Sequence, residues 1–266
     1  MTEALVTYEV RDRVALIGLD RPSKRNALSL ELQDLLKVYC KRAYAEASVA
    51  VIYSRGEHFC AGLDLKEASV WMADQESKYR KLVMEAPRPF EEISNAPIPF
   101  VAAISGACIG GGLEIATACH LRVADETSFF ALPEGQRGIF VGGGGSVRIA
   151  RIMGLSRMMD MMLTGRVLGV DEAERAGLVQ YAVPRAEHFE RAFALASGIA
   201  DNAPMTNWAI INGLPRIQAF GQDDGLFVEG LLTGMVSGTE AAGQRLDDFI
   251  NKRAKPLENP ATPNRS

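Results

Sequence analysis

Two glutamates twenty residues apart, Glu114 and Glu134, are the side chains of this sequence best suited to moving a proton. Each has apolar neighbours, Leu113 and Ile115 around the first, Leu132 and Pro133 ahead of the second. Burial without a cationic partner raises a carboxyl pKa, and a second carboxylate close by raises one of the two further. Such a pair can hold one proton between them and exchange it near neutral pH. The competing reading is that each glutamate caps a helix or pairs with an arginine such as Arg137, and spacing leaves both readings open. Just ahead of Glu114 stand Gly110, Gly111 and Gly112, where the chain enters a helix. Glycine lets backbone approach a ligand closely, and a helix start offers N–H groups with no partner inside the helix.

A second glycine run spans 142–145. Three uses are open for the two runs: a phosphate cradle, an oxyanion hole with amides aimed at a developing negative oxygen, or close packing of strand on helix. Neither run fits G-x-x-x-x-G-K-[ST] or G-x-G-x-x-G, which argues against a nucleotide site. His58, His120 and His188 lack metal-ligand spacing and read as surface or internally satisfied histidines. Ser146 follows glycines without the G-x-S-x-G frame of a serine nucleophile. The cluster Met158, Met159, Met161 and Met162 reads as helix packing. Lys24 and Arg25 are either solvated charge or partners for ligand phosphates.

The elements that must position these residues follow from hydrophobic pattern. Strands are expected over 5–10, 14–19, 49–53, 100–104, 121–124 and 129–132. Ser29 is the expected N-cap of a helix to about Ala47, with Leu32, Leu35, Leu36 and Tyr39 on one face. Helices are expected over 66–94, from the glycines to about Ala118, and over 146–153, 155–164 and 170–176. From Arg185 onward the pattern is helical throughout. Strands alternating with helices and then helices alone predict an α/β core with a helical C-terminal subdomain. The expected bounds are a core over 1–200, a helical subdomain over 201–255 and a polar, proline-bearing, disordered tail over 256–266.

With 266 residues, 47% hydrophobic and 23% charged, the chain has the makings of one large core. A net charge of -4 and a pI of about 5.6 argue against a general nucleic-acid binder. No apolar run is long enough to span a bilayer, and the first residues lack a signal-peptide pattern. Cys40, Cys60, Cys108 and Cys119 form no C-x-x-C pair and read as reduced thiols, so a cytoplasmic setting is expected.

Four segments in order, 21–28, 58–66, 104–114 and 130–134 with its trailing glycine loop, resemble the crotonase or enoyl-CoA hydratase/isomerase superfamily. The resemblance runs from Leu5 to about Pro256. It implies a crotonase-like spiral of ββα units, an acyl-CoA substrate and no separate cofactor or metal, coenzyme A being part of the substrate. It implies that the amides of Leu63 and Gly111 form an oxyanion hole for the thioester carbonyl. It also implies that Glu114 handles the water and Glu134 the α-proton in a hydratase. Lys24, Arg25, Ala61, Asp64, Leu65, Lys66 and Gly142 are implied as substrate or CoA contacts, and the 66–94 segment as part of the acyl pocket. Homotrimers, often paired into hexamers through the C-terminal helices, are implied as well, with no nucleic-acid or membrane partner. The segment 131–140 looks like the branch containing methylthioacryloyl-CoA and acryloyl-CoA hydratases, Arg137 and Phe140 setting it apart. An isomerase of this family typically manages with one glutamate, and a thioester hydrolase would direct water to the carbonyl. Some relatives bind RNA through a lysine-rich helix. Here Lys37, Lys41 and Arg42 are interspersed with Glu31, Asp34 and Glu46, which reads as a solvated face.

Overall fold

A computed structural model describes residues 4–72 and 89–253. The chain divides into two compact units, Met1–Asp201 and Asn202–Ser266.

The first unit is built on a six-stranded sheet in the order β1-β2-β3-β4-β6-β9. Its strands are β1 (Val6–Arg11), β2 (Val14–Leu19), β3 (Val49–Ser54), β4 (Phe100–Ile104), β6 (Leu121–Asp125) and β9 (Tyr181–Val183). β1 pairs antiparallel with β2, and the other neighbours are parallel. Every residue of β2 and β4 is buried, as a parallel sheet covered on both faces requires. Side-chain alternation splits the burial. Ala15, Ile17, Ala50, Ile52, Ala102 and Ile104 join one core. Val14, Leu16, Val49, Val51, Val101 and Ala103 join the other, where Ala192, Ala196 and Ala200 form one stripe of a covering helix, His188–Ala200.

A smaller sheet, β5-β7-β8, is made of three-residue strands: β5 (Ala107–Ile109), β7 (Phe129–Ala131) and β8 (Val167–Gly169). β5 and β7 pair in parallel. The chain thus visits the large sheet, then the small one, then a helix, and repeats. One turn runs β4, β5, α4 (Gly111–Ala118), and the next β6, β7, α5 (Glu134–Arg137). Isolated parallel bridges, Cys60 with Cys108 and Leu28 with Leu63, carry the same pairing to the preceding turns. The preceding turn ends in α2 (Leu65–Met72). This is the expected spiral. Its consequence is that Leu63 ahead of α2, Gly111 opening α4 and Glu134 opening α5 occupy like positions in successive turns.

α1 (Leu30–Glu46) begins where expected. The Ser29 hydroxyl accepts from the Leu32 amide at 3.2 Å, a cap worth about 1 kcal/mol, and Glu67 accepts from the Leu30 amide at 3.0 Å. Leu32 and Leu36 are fully buried, whereas Leu35 and Tyr39 pack only partly. The expected helical stretch over 66–94 is met by α2 and by α3 (Pro89–Ser94) at its two ends. The residues between them, and the expected disordered tail over 256–266, lie outside those described. Helices α6 (Gly145–Met153), α7 (Leu155–Thr164) and α8 (Val170–Arg175) follow, and the helix covering the second core is α9. In the second unit, α10 (Pro204–Ile217), α11 (Gln222–Ser237) and α12 (Glu240–Ile250) complete the described chain. α10 and α11 pack closely at Gly213, where an added Cβ would come within 2.5 Å of Leu232.

Candidate active site

The loop from β3 to α2 is held in place by the basic loop after β2. Ala61 donates to the Arg25 carbonyl at 3.0 Å, Leu28 to Gly62 at 2.8 Å and Asp64 to Leu28 at 3.0 Å. Asn26, fully buried, staples the base of this pairing. Its Oδ1 accepts from the Arg21 amide at 2.7 Å, and its Nδ2 donates to the carbonyls of Arg55 and His58 at 3.0 and 2.8 Å. Asn26 sits at φ 54°, a left-handed conformation that asparagine tolerates. On the other side, Cys60 donates to Ala107 and Ile109 donates to Cys60, at 2.9 and 3.0 Å, so residues 60–62 run alongside β5.

Both paths end in a free donor. The Leu63 and Gly111 amides donate to no acceptor among the described residues. Gly111 is the first residue of α4, where N–H groups have no intrahelical partner. An added Cβ on Gly62 would lie 3.5 Å from the Gly111 nitrogen, and one on Gly111 would lie 3.8 Å from the Leu63 nitrogen. The two amides therefore border one space, and Gly62, at φ +90°, is what lets the backbones meet. The far end of α4 is anchored by buried Arg122, which donates to the Cys119 carbonyl at 2.7 Å and the Leu178 carbonyl at 2.6 Å.

Glu114, on the first turn of α4, is 4% exposed. Its Oε1 accepts from Gly143 at 2.7 Å and Gly145 at 2.9 Å. Burial raises its pKa, while the amides of Gly145 and Gly143, the Arg148 guanidinium and the Gly142 amide pull the other way. Glu134 opens α5 and is 5% exposed. Its Oε2 is buried without a hydrogen-bond partner among the described residues, and its Oε1 would lie 2.9 Å from a Cβ added at Gly110, one residue from the Gly111 donor. Burial raises the Glu134 pKa first. Its own amide lowers it, the nearby Glu114 charge raises it further, and Arg137 lowers it. No ion pair joins Arg137 to either glutamate among the described residues, and Arg137 is exposed. The structure thus brings Glu114, Glu134, Leu63 and Gly111 together.

The second glycine run does cradle an anion, but that anion is Glu114 itself rather than a ligand phosphate. Gly142 belongs to this turn and its amide acts on Glu114. Asp64 is occupied within the protein. Its Oδ2 pairs with Arg21 at 2.8 Å, and its Oδ1 accepts from the Lys66 and Glu67 amides at the start of α2. Burial pushes its pKa up, but these bonds more than offset that and hold the carboxyl below its usual range. Lys24, Arg25, Leu65 and Lys66 are exposed around this rim, and Ala61 is half-buried.

The remaining candidates resolve into structure. His58 Nδ1 accepts from Ala107 and His120 Nδ1 from Phe100, while His188 lies 3.0 Å from Asp125. No group of His, Cys, Asp and Glu suited to a metal ion occurs among the described residues. Met158 and Met161 are buried packing. All four cysteines are free and buried. Lys41 pairs with Glu92 and Arg42 with Glu46, which leaves α1 without a free basic stripe. No helix among the described residues is long and apolar enough to cross a membrane.

Asn26 and Arg148, both part of this architecture, were not singled out by sequence reasoning. An asparagine between a basic pair and an apolar helix start, and an arginine between Val147 and Ile149, were the available signals.

Comparison with known proteins gives a consistent result. Residues 9–225 match the family model described as enoyl-CoA hydratase/isomerase. A "Probable enoyl-CoA hydratase" of Rhizobium meliloti is 34% identical over 259 residues, covering 95% of this chain and 97% of the relative. A "Probable enoyl-CoA hydratase 2, mitochondrial" of Arabidopsis thaliana is 34% identical over 248 residues, covering 91% and 80%. The crystal structure of an enoyl-CoA hydratase from Bacillus anthracis superposes with a TM-score of 0.87 at 29% identity, covering 96% and 98%.

Proposed function

The chain belongs to the enoyl-CoA hydratase/isomerase family, and from that premise we propose that it adds water across the 2,3 double bond of a short-chain 2-enoyl-CoA. The observation that carries this reading is the pair of buried carboxyls beside two free amides. Attack of water at C3 pushes charge onto the thioester oxygen. The Leu63 and Gly111 amides receive that oxygen, each contributing roughly 3–4 kcal/mol to the enolate-like state. They are neutral, need no titration and are fixed by the pairing on either side.

The two acids are differently provided for, and this supports a division of labour. Glu114 has two amides fixed on one oxygen, which aims the other at a water and favours the ionised form, so it serves as base. Glu134 has no donor on Oε2, and burial together with the Glu114 charge favours its protonated form, so it delivers the proton to C2. Such a pair titrates as a unit. The presence of both acids favours hydration over double-bond isomerisation. Lys24 and Arg25, exposed on the rim beside the Leu63 loop, would meet the CoA phosphates. The apolar residues left exposed within the second unit, among them Phe227, Leu231, Phe249 and Ile250, support a homotrimer or a hexamer of paired trimers.

The test follows loss of enoyl-thioester absorbance and release of free thiol across 2-enoyl-CoAs of increasing length, including acryloyl-CoA and methylthioacryloyl-CoA. Loss of absorbance without thiol release is expected with the short members. Absorbance unchanged with all of them overturns hydration, and thiol release in step with turnover makes the enzyme a hydrolase.

A further inference from the structure

We infer that Arg148 is a positioning residue of this site: its guanidinium clamps the glycine turn 142–145 onto Glu114 and supplies the positive charge that faces that carboxylate. The role of the charge in hydration rests on the proposed function; the clamp itself rests on geometry.

Arg148 lies on α6 and folds back over the turn that precedes it. Its Nη2 donates to the Gly143 carbonyl. Gly143 is therefore gripped at both ends, its N–H by Glu114 and its C=O by Arg148. The guanidinium lies flat on Gly144, where an added Cβ would stand 2.6 Å from Nη1, 2.7 Å from Nη2 and 2.8 Å from Cζ. Gly144 is thus glycine for two reasons, this contact and its φ of +85°. Phe90 closes the other side, its ring 2.7 Å from a Cβ placed on Gly143. The turn has little freedom left, and its amides stay aimed at Glu114.

Within this enclosure the charges form a connected set. Arg148 on α6 and Glu134 on α5 face Glu114. Glu91 on α3 and the Cys119 thiol after α4 also act on Arg148. Cys119, its pKa raised to about 12 by burial, is neutral, and Arg122 faces it. Arg137 faces Glu134 only. Two further atoms lack a hydrogen-bond partner among the described residues: Arg148 Nε and Glu91 Oε2, both buried. Arg148 is thus a cation shared by two acids, Glu114 and Glu91. Neutralising it leaves the base facing only the Glu134 carboxyl and the neutral amides.

Arg148→Gln removes the charge but keeps a donor for the Gly143 carbonyl, and Arg148→Lys keeps the charge but loses the fork. The Glu114 carboxyl is followed by NMR in protein carrying 13C-labelled glutamate, with Glu114→Gln identifying its resonance. In Arg148→Gln the Glu114 midpoint is expected to move to higher pH, and in Arg148→Lys to return toward the wild-type value. In step, kcat/KM for a short 2-enoyl-CoA falls in Arg148→Gln on the acid limb of its pH profile, by about tenfold for each unit the Glu114 midpoint moves, and less on the plateau above that limb, with KM little changed. A purely structural arginine would make both variants equally slow at every pH and leave the midpoint in place, and that result overturns the inference. Should Arg148→Gln fail to fold by circular dichroism, Glu91→Gln decides. Freed of its second acid, Arg148 then moves the Glu114 midpoint to lower pH, and an unmoved midpoint overturns the inference. A wild-type enzyme that hydrates no enoyl-CoA would end the hydratase reading, while the titration would still decide the place of Arg148.

Discussion

Replacing Gly111 by proline deletes one of the two free donors and leaves in place the helix that carries it. Gly111 is the first residue of α4, the one helical position where proline's missing N–H and fixed φ cost nothing. The preceding Gly110, at φ 53° and ψ -120°, is in the mirror image of the extended conformation that residues before proline adopt, which glycine reaches without strain. The new Cβ meets the Leu28 Cδ1 tip at 2.9 Å, and a methyl-bearing tip can turn aside, while the ring Cδ takes the place of the lost N–H hydrogen. The lost donor is worth about 10²–10³ in kcat, or roughly 3–4 kcal/mol. Gly111→Ala is the control, because it makes the same Leu28 contact and keeps the N–H. It should retain stability within about 1 kcal/mol, the helix-propensity difference between alanine and glycine. Gly112→Ala, one residue on, puts a Cβ 2.5 Å from the Cys60 carbonyl oxygen, a backbone clash expected to cost about 1–3 kcal/mol of stability. Thermal melts and enoyl-thioester absorbance separate the three. A folded Gly111→Pro enzyme within about tenfold of wild type would refute the reasoning.

Glu114→Gln and Glu134→Gln should each lower kcat at least ~100-fold with the fold intact by circular dichroism; near-normal turnover in either variant removes that residue from the mechanism. Because burial raises both carboxyl pKa values, the acid limb of kcat/KM should lie above the ~4.3 of a free glutamate, and a limb at or below it contradicts the burial argument. The same shift has a sign for stability. A folded pKa above the unfolded one leaves no penalty below the unfolded pKa and a full penalty above the folded pKa. Glu134→Gln should therefore raise the urea midpoint at neutral pH, with the gain fading as the pH falls toward the unfolded value; an equal gain at all pH values would deny it. His120 runs the other way, its pKa lowered to about 4 by burial. Its contribution is intact above its unfolded pKa of ~6.5 and is lost as the pH falls through about 4. Urea midpoints across that window should fall less in His120→Gln than in wild type, and parallel curves would count against it. Arg25→Ala and Lys24→Ala should raise KM for acyl-CoA at low salt and leave kcat alone, the effect shrinking at high ionic strength; unchanged KM values take these residues out of substrate binding.

Much of this site was legible because its parts coincide with strong local signals. Gly110, Gly111 and Gly112 stand at a strand-to-helix transition, and Glu114 follows on the helix's first turn. Ser29 caps α1 where its position and hydroxyl say it should. What could not be read were pairings set by tertiary contact. The amides of residues 142–145 advertise an anion site, but nothing local says that the anion is Glu114, some thirty residues earlier. Nor does anything local say that Asp64 pairs with Arg21, 43 residues away, at 2.8 Å. β5 and β8 are three residues each, too short for alternation to register, whereas β7, equally short, was legible from its run Phe129, Phe130 and Ala131. The one-turn helix α5 starts straight after Pro133, whose residue type marks a strand end without also marking the N-cap of a short helix. Asn26 is invisible as a staple because its three hydrogen bonds reach partners up to 32 residues away.

The central claim is that one thioester oxygen is shared by the Leu63 and Gly111 amides, with Glu114 and Glu134 facing the carbons beside it. A crystal structure of the enzyme with a saturated short-chain acyl-CoA, which has no double bond to hydrate, tests it most directly. The prediction is a carbonyl oxygen about 2.7–3.1 Å from both nitrogens, with the two carboxyls over C2 and C3. A thioester seated with its oxygen on neither amide, or with either glutamate turned away from those carbons, would contradict the account.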